Sequence, residues 1–219
     1  MIKVIKIGEN IFAENQKIAQ EIRKILNNKK ILSFNVMGAP GSGKTSFIEK
    51  TVEILKDEFK FAVIEGDIEG TFDSEKFEKF NIPVVQINTK GACHLEANMV
   101  KGGISEINLD EIDILFVENV GNLICPAEFD TGIEKNIVVS SITEGNDKVL
   151  KYPLMFKVSD ICILNKIDLL NYIEFDVEKF ENDLKKTSSE TKLIKLSAKT
   201  LQNFNIWIEL LKELKEMKK

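Results

Sequence analysis

The sequence is short of the residues that most often carry chemistry. It has one histidine (His94), three cysteines (Cys93, Cys125, Cys162) and, among 30 basic residues, one arginine (Arg23). A single histidine excludes a histidine-rich metal-storage tract. An odd, low cysteine count fits a reducing compartment and not a disulfide scaffold. Four prolines and 12 glycines leave no Pro-rich linker and no collagen-like repeat. No uninterrupted apolar run approaches the roughly 18 residues of a membrane span, and the opening MIKVIKIGEN has no apolar signal core. These absences predict a soluble cytoplasmic protein with no membrane partner. A net positive charge is lacking too: 35 acidic residues outnumber the 30 basic ones, and the formal net charge is −5. A protein that grips phosphate backbones is usually basic, so no nucleic-acid partner is expected.

What remains is ordinary globular material, 43% hydrophobic and 30% charged over 219 residues. Short apolar runs at 31–38, 61–67, 83–88, 113–119, 136–143, 160–166 and 191–197 read as strands. Helical spacing appears at 45–57, 73–80, 94–101, 176–187 and 203–217. The last of these aligns Phe204, Trp207, Ile208, Leu211 and Leu214, which makes Trp207 a core residue and not a cofactor platform. A helical extension at about 10–28, capped by Asn10, precedes the first main strand, and residues 2–7 read as a short edge strand. Strands alternating with amphipathic helices imply right-handed crossovers and a mainly parallel sheet with helices on both faces. The expectation is one α/β domain of the P-loop NTPase type spanning 1–219.

The strongest motif is GAPGSGKT: Gly38, Ala39, Pro40, Gly41, Ser42, Gly43, Lys44 and Thr45, followed by Ser46. It fits G-x-x-x-x-G-K-[ST] and lies between an expected strand and helix, the context such a loop needs. Its glycines let successive N–H groups face phosphate oxygens, and the following helix adds its positive end. Lys44 is expected on the β- and γ-phosphates and Thr45 on Mg²⁺. A second string, NKID at Asn165–Asp168, follows the strand DICIL. The Asp168 carboxylate can accept guanine N1–H and N2–H together, Asn165 can bond the purine edge, and the Lys166 stem can lie along the ring. Ser197, Ala198 and Lys199 supply a supporting backbone contact after the last strand. Together these predict binding of GTP over ATP.

GAPGSGKT, EGD (65–67), GACHLEA (91–97), VENVGNLICPAEFD (117–130), TEGNDKVLKYP (143–153) and NKIDL (165–169) occur in one order along the chain. In that order they resemble the HypB family, SIMIBI-class GTPases that help insert nickel during [NiFe]-hydrogenase maturation. The resemblance covers nearly the whole chain, and CHLEA with GNLICPA is specific to the family. It implies a slow GTPase that dimerises across its nucleotide faces. Asp67 would then be the switch carboxylate near Mg²⁺, and Glu118 would hold a magnesium-bound water. The implied partners are a second copy, a small zinc- or nickel-binding accessory protein of the HypA type, and the [NiFe] hydrogenase large subunit. The sequence departs from many relatives in having no Cys or His before residue 93, and in Asn98 where some have a second histidine.

Cys93, His94 and Cys125 form the candidate metal set, because thiolate and imidazole suit Zn²⁺ or Ni²⁺ and not Mg²⁺ or Ca²⁺. Cys162, inside the strand ICIL, reads as core. Three ligands leave a shell incomplete, which suits transfer. Arg23 sits on the N-terminal helix with nothing to bring it to a γ-phosphate, so Lys148 is the candidate for a contact made across a dimer. Three other functions compete. A small-molecule kinase shares the phosphate loop but usually needs several arginines. The related urease accessory GTPase has a Cys-Pro-His motif, and here Ala127 follows Cys125-Pro126. A passive nickel or zinc buffer would have no nucleotide dependence.

Overall fold

The apolar alternation of each strand sets the two faces of one sheet. The computed structural model describes residues 7–67 and 75–218. In it β1 (Leu32–Met37), β2 (Phe61–Asp67), β3 (Val84–Asn88), β4 (Ile114–Glu118), β5 (Lys135–Ser141), β6 (Ile161–Asn165) and β7 (Lys192–Lys195) are ordered β3-β2-β4-β1-β5-β6-β7. Every pairing is parallel. The helices are α1 (Ile7–Asn28), α2 (Lys44–Leu55), α3 (Glu75–Glu78), α4 (Ala97–Ser105), α5 (Lys148–Lys151), α6 (Pro153–Lys157), α7 (Val177–Thr187) and α8 (Phe204–Glu216).

On one face Phe34, Phe116, Val139 and Ile163 pack against Phe47 and Val52 of α2 and Trp207 and Leu211 of α8. Trp207 is fully buried and its indole N–H donates to Thr51 Oγ1 at 2.9 Å. The opposite face is divided. Leu115 and Val117 lie under Ala19 and Ile22 of α1 and Val100 of α4, whereas Val138, Cys162 and Leu164 lie under Phe156 of α6 and Phe180 of α7. Cys162 is inert core as its strand position predicts, because burial pushes its thiol far above the ordinary range.

Parallel strands bring all their C-terminal ends to one edge. At that edge β1 lies between β4 and β5, where the chain changes direction across the sheet. This is the switch point at which open α/β sheets form their crevice.

Three expectations need correction. The first helix begins at Ile7, so Asn10 lies in its first turn and cannot be its N-cap. Of the expected edge strand at 2–7, Ile7 is helical and the rest lies outside the described residues. The helix expected at 94–101 runs Ala97–Ser105, which leaves Cys93–Glu96 as a loop before it. The other elements fall within a few residues of their expected bounds, except that only Glu75–Glu78 of 73–80 is helical and 73–74 lie outside the described residues.

Candidate functional site

β1 runs directly into Gly38–Gly43, and α2 starts at Lys44. Gly43 takes φ 98°, a left-handed conformation, and a Cβ there would fall 2.3 Å from Asn165 Nδ2. Only glycine satisfies both demands. The loop lines a cleft of about 580 Å³ with Thr45, Ser46, Glu65, Gly66, Asp67, Glu118, Asn119 and Lys166. Lys44 is nearly buried, and its Nζ lies 3.4 Å from the carbonyls of Gly38 and Ala39. Thr45 Oγ1 donates to Glu118 Oε1 at 2.9 Å, so the two residues expected around Mg²⁺ already face each other. Asp67 ends β2 on the same cleft wall. Glu65 is paired in register with Glu118 on the neighbouring strand, a second buried acid that the EGD string contained but did not single out.

A smaller cavity of about 360 Å³ adjoins the cleft through Gly43, Ser46 and Lys166, and Asn165, Asp168, Ala198 and Lys199 line it. Asp168 Oδ1 is buried with no hydrogen-bond partner among the described residues. An acceptor left in that state implies a donor to come, because an unmet buried polar atom costs about 1–3 kcal/mol. Asn165 has structural bonds besides its expected contact with the purine edge, for which the second N–H of its Nδ2 remains. Its Nδ2 donates to Ser42 O at 2.9 Å, and its Oδ1 accepts the N–H groups of Lys166 at 2.8 Å and Ala198 at 3.0 Å. It ties the GAPGSGKT, NKID and SAK loops together, and its oxygen is not free for a base. Lys166 Nζ adds a bond to Gly41 O at 2.7 Å. Ser197 is fully buried, and its Oγ accepts the N–H groups of Lys199 and Thr200.

Glu144, in the helical turn after β5, has both carboxylate oxygens buried without a hydrogen-bond partner. Burial raises its pKa, against the pull of Lys148, Lys166 and Lys44. Lys148 opens α5 with its Nζ 5.8 Å from the Tyr152 ring centroid. A larger hollow of about 730 Å³ opens at the opposite edge of the sheet, where β2, β3 and β4 begin. None of the sequence motifs reaches it, so the C-terminal edge is the candidate site.

Cys93, His94 and Cys125 converge: one donor atom from each lies within 4.8 Å of the others. Cys93 Sγ is 3.6 Å from His94 Nδ1. Two sulfurs and an imidazole nitrogen, half-buried, make a donor set that fits Zn²⁺ or Ni²⁺. Burial lowers the His94 pKa, so the ring is neutral and ready to ligate at pH 7, while Glu96 and Glu128 act in the other direction. Cys125 is shifted upward, chiefly by its hydrogen bond with Cys93 and then by burial. His94 Nε2 is buried without a hydrogen-bond partner, with Glu96 Oε1 3.7 Å away. Asn98 is exposed in the first turn of α4, where its Oδ1 accepts the Met99 N–H.

α1 braces this cluster, a role that its sequence did not signal. The His94 ring stacks on Phe129 at 4.0 Å, and Phe129 stacks on Phe12 at 5.0 Å. Asn15 accepts the Ala97 N–H at 2.8 Å and donates to Asp130 O at 2.8 Å, and so bridges the segments that carry Cys93–His94 and Cys125. Arg23 pairs with both oxygens of Asp130, at 2.9 and 3.0 Å. The one arginine is therefore engaged in this brace.

Comparison with known proteins agrees with this geometry. Residues 32–195 match the family model described as CobW/HypB/UreG, nucleotide-binding domain. The probable hydrogenase maturation factor HypB of Methanocaldococcus jannaschii is 45% identical over 219 residues, covering 100% of this chain and 99% of that protein. Its Escherichia coli K12 counterpart is 38% identical, covering 94% of this chain and 71% of that protein. Among solved structures, HypB from Helicobacter pylori in complex with nickel superposes with TM-score 0.88 at 36% identity, over 93% of this chain and 96% of that one. HypB from Archaeoglobus fulgidus gives TM-score 0.87 at 38% identity, over 93% and 99%. With its phosphate loop, its thiol–imidazole cluster and these relatives in agreement, the chain belongs to the HypB family of hydrogenase maturation factors, within the CobW/HypB/UreG nucleotide-binding domains.

Proposed function

We propose that this protein is a GTP-hydrolysing metallochaperone that assists nickel insertion into [NiFe] hydrogenase, with its metal site linked to its nucleotide cleft. The observation that carries the reading is continuity. The cleft residues Glu118–Gly121 run on into the loop bearing Cys125, and Gly66 of the cleft packs on Leu95, next to His94. Relatives named as hydrogenase maturation factors, one of them solved with nickel, support the cargo.

In this reading one G domain spans the chain. The amides of residues 38–46 cradle the phosphates, and Lys44 leaves its loop carbonyls for β- and γ-phosphate oxygens. The Asp168 carboxylate, with its Oδ1 unmet, takes the guanine N1–H and N2–H pair, Asn165 bonds the purine edge, and Ala198 and Lys199 flank the base. Thr45, Asp67 and Glu118 are the residues that would hold Mg²⁺, which when bound offsets phosphate charge. Hydrolysis is slow, because Arg23 is committed to Asp130 and Lys44 is left to meet the developing charge within one subunit. Lys148 is assigned a contact across a homodimer, and the exposed apolar side chains of Leu150, Leu154, Leu170 and Tyr172 support such association. Cys93, His94 and Cys125 carry Ni²⁺ or Zn²⁺ as cargo, and the open remainder of the shell admits a ligand from a HypA-type accessory protein or from the hydrogenase large subunit. The protein works in the cytoplasm, without nucleic acid or membrane.

Labelled phosphate tests this directly. Free phosphate released from GTP and not ATP, and lost in Lys44→Ala, is the expected result. Label transferred to a small-molecule acceptor would make the protein a kinase and overturn the reading.

A further inference from the structure

Each segment of the metal site is fastened to the wall of the nucleotide cleft by one asparagine. Asn119 directly follows Glu118 and is 1% exposed. Its Oδ1 accepts the N–H groups of Leu95 at 2.9 Å and Val120 at 3.0 Å, and its Nδ2 donates to Asn35 Oδ1 at 3.2 Å. Leu95 directly follows His94 and is wholly buried. Its side chain fills a notch over Gly66, where a Cβ would lie 2.7 Å from Leu95 Cγ. Gly66 in turn stands between Glu65 and Asp67. Leu95 is thus held by both acidic strand ends of the cleft, from β4 by a hydrogen bond and from β2 by packing.

Asn122 does the same for the other segment. Its backbone forms an antiparallel bridge with Gly38, the first residue of the phosphate loop. Its Oδ1 accepts the Ile124 N–H at 2.8 Å, and its Nδ2 lies 3.6 Å from Cys125 Sγ. Gly121 beside it packs on Pro40, where a Cβ would be 2.9 Å from the ring. A shift of the phosphate loop therefore acts on Cys125 through a single residue.

We propose that Asn119 and Asn122 are positioning residues that relay the nucleotide state to the metal donors, Asn119 through Leu95 to Cys93 and His94, and Asn122 directly to Cys125. The relay rests on the metal–nucleotide linkage proposed above and gives it named atoms. The Cys93–His94 segment cannot move independently of the cleft wall without leaving the buried Leu95 N–H unmet or forcing Leu95 onto Gly66, and the Cys125 segment cannot do so without losing its contacts with Asn122. A change at the wall that favours one nucleotide then alters donor spacing. By reciprocity a metal that fixes the spacing alters nucleotide affinity by the same factor.

The test uses the full chain and reads a ratio. Ni²⁺ is titrated into GDP-bound and GTP-analogue-bound forms of the unaltered protein, Asn122→Ala and Asn119→Ala. The relay predicts a ratio of Ni²⁺ dissociation constants of about 5–150 in the unaltered protein, in either direction. In Asn122→Ala it falls at least threefold towards one, and further in Asn119→Ala. Loss of packing alone would weaken both nucleotide forms equally and leave the ratio unchanged. Asn122 is half-buried, so its variant carries the test if Asn119→Ala does not fold. A ratio of one in the unaltered protein overturns the linkage itself. A ratio preserved in the variants overturns the relay and leaves the linkage standing.

Discussion

The phosphate loop and the thiol cluster share one wall of the cleft, yet they are held in place differently. The phosphate loop is a contiguous string whose backbone makes the cradle, and Asn165 locks it to the NKID and SAK loops with three bonds of 2.8–3.0 Å. The thiol cluster has no cradle of its own. It is made of two segments, at Cys93–His94 and at Cys125, and these are brought together by α1 on one side and by Asn119 and Asn122 on the other. A preformed loop suits a ligand that binds and leaves many times. A site assembled from separately fastened segments can change its spacing when either support moves, which suits metal delivery.

The largest effect expected from breaking this comparison lies at the donors. Cys93→Ala or Cys125→Ala should weaken Ni²⁺ and Zn²⁺ binding by more than the roughly 10–100-fold that outer-shell losses cost, while GTP affinity of the metal-free protein stays within about twofold. Competition with a chelator and nucleotide titration check the two halves. Next is the base pocket, where Asp168→Asn should cut GTP affinity by about 10–200-fold, about 1.4–3 kcal/mol, and leave metal binding unchanged. Equal binding of ATP and GTP by the unaltered protein would remove Asp168 from that role. The brace comes third: Asn15→Ala removes the hydrogen bonds from α1 to both segments, leaving the Arg23–Asp130 pair and the Phe12–Phe129 stack, and should weaken Ni²⁺ binding about tenfold. Its check is the thiolate-to-Ni²⁺ charge-transfer absorption, which should need more metal to saturate.

The smallest effect concerns Glu144. Its folded pKa is raised by burial, so the carboxylate is a net cost to the fold wherever the unfolded chain is ionised and the folded group resists ionisation. Stability from this group is fully present below the ordinary carboxylate range and is lost as pH rises through the folded value. Glu144→Gln should therefore stabilise the protein at pH 7 by about 1 kcal/mol, a melting shift of roughly 2–4 °C. The gain should disappear near pH 4, and melting curves at the two pH values check the sign.

The two regions also differ in how far they can be read from sequence. GAPGSGKT and NKID declare themselves because their geometry is local: a strand, a glycine-rich turn and a helix start fix where each atom goes. The parallel sheet was legible for the same reason, through short apolar runs separated by helical ones. The thiol–imidazole cluster was legible as residue types, since one His beside a Cys is a chemical signal, and the structure brings these residues together with Cys125. What holds them was not legible. Asn15 meets Ala97 and Asp130 across 82 and 115 positions, and Asn119 meets Leu95 across 24, distances over which a single sequence carries no pattern. Asn165 lay inside a recognised motif, yet its role as a tie depends on Ser42 and Ala198, 123 and 33 residues away. The start of α1 was set too late because Asn10 offers a capping side chain, a local signal, whereas the helix already runs from Ile7.

The central claim is that one wall serves both sites, so metal and nucleotide must report on each other. The direct measurement runs in the direction opposite to the metal titration: affinity for a non-hydrolysable GTP analogue and for GDP, each with and without saturating Ni²⁺. The account predicts that Ni²⁺ changes the analogue-to-GDP preference by about 5–150-fold, and that Cys125→Ala abolishes the change. A preference that Ni²⁺ leaves unaltered would mean that the cluster is a passive metal holder sitting beside an independent GTPase, and would contradict the account.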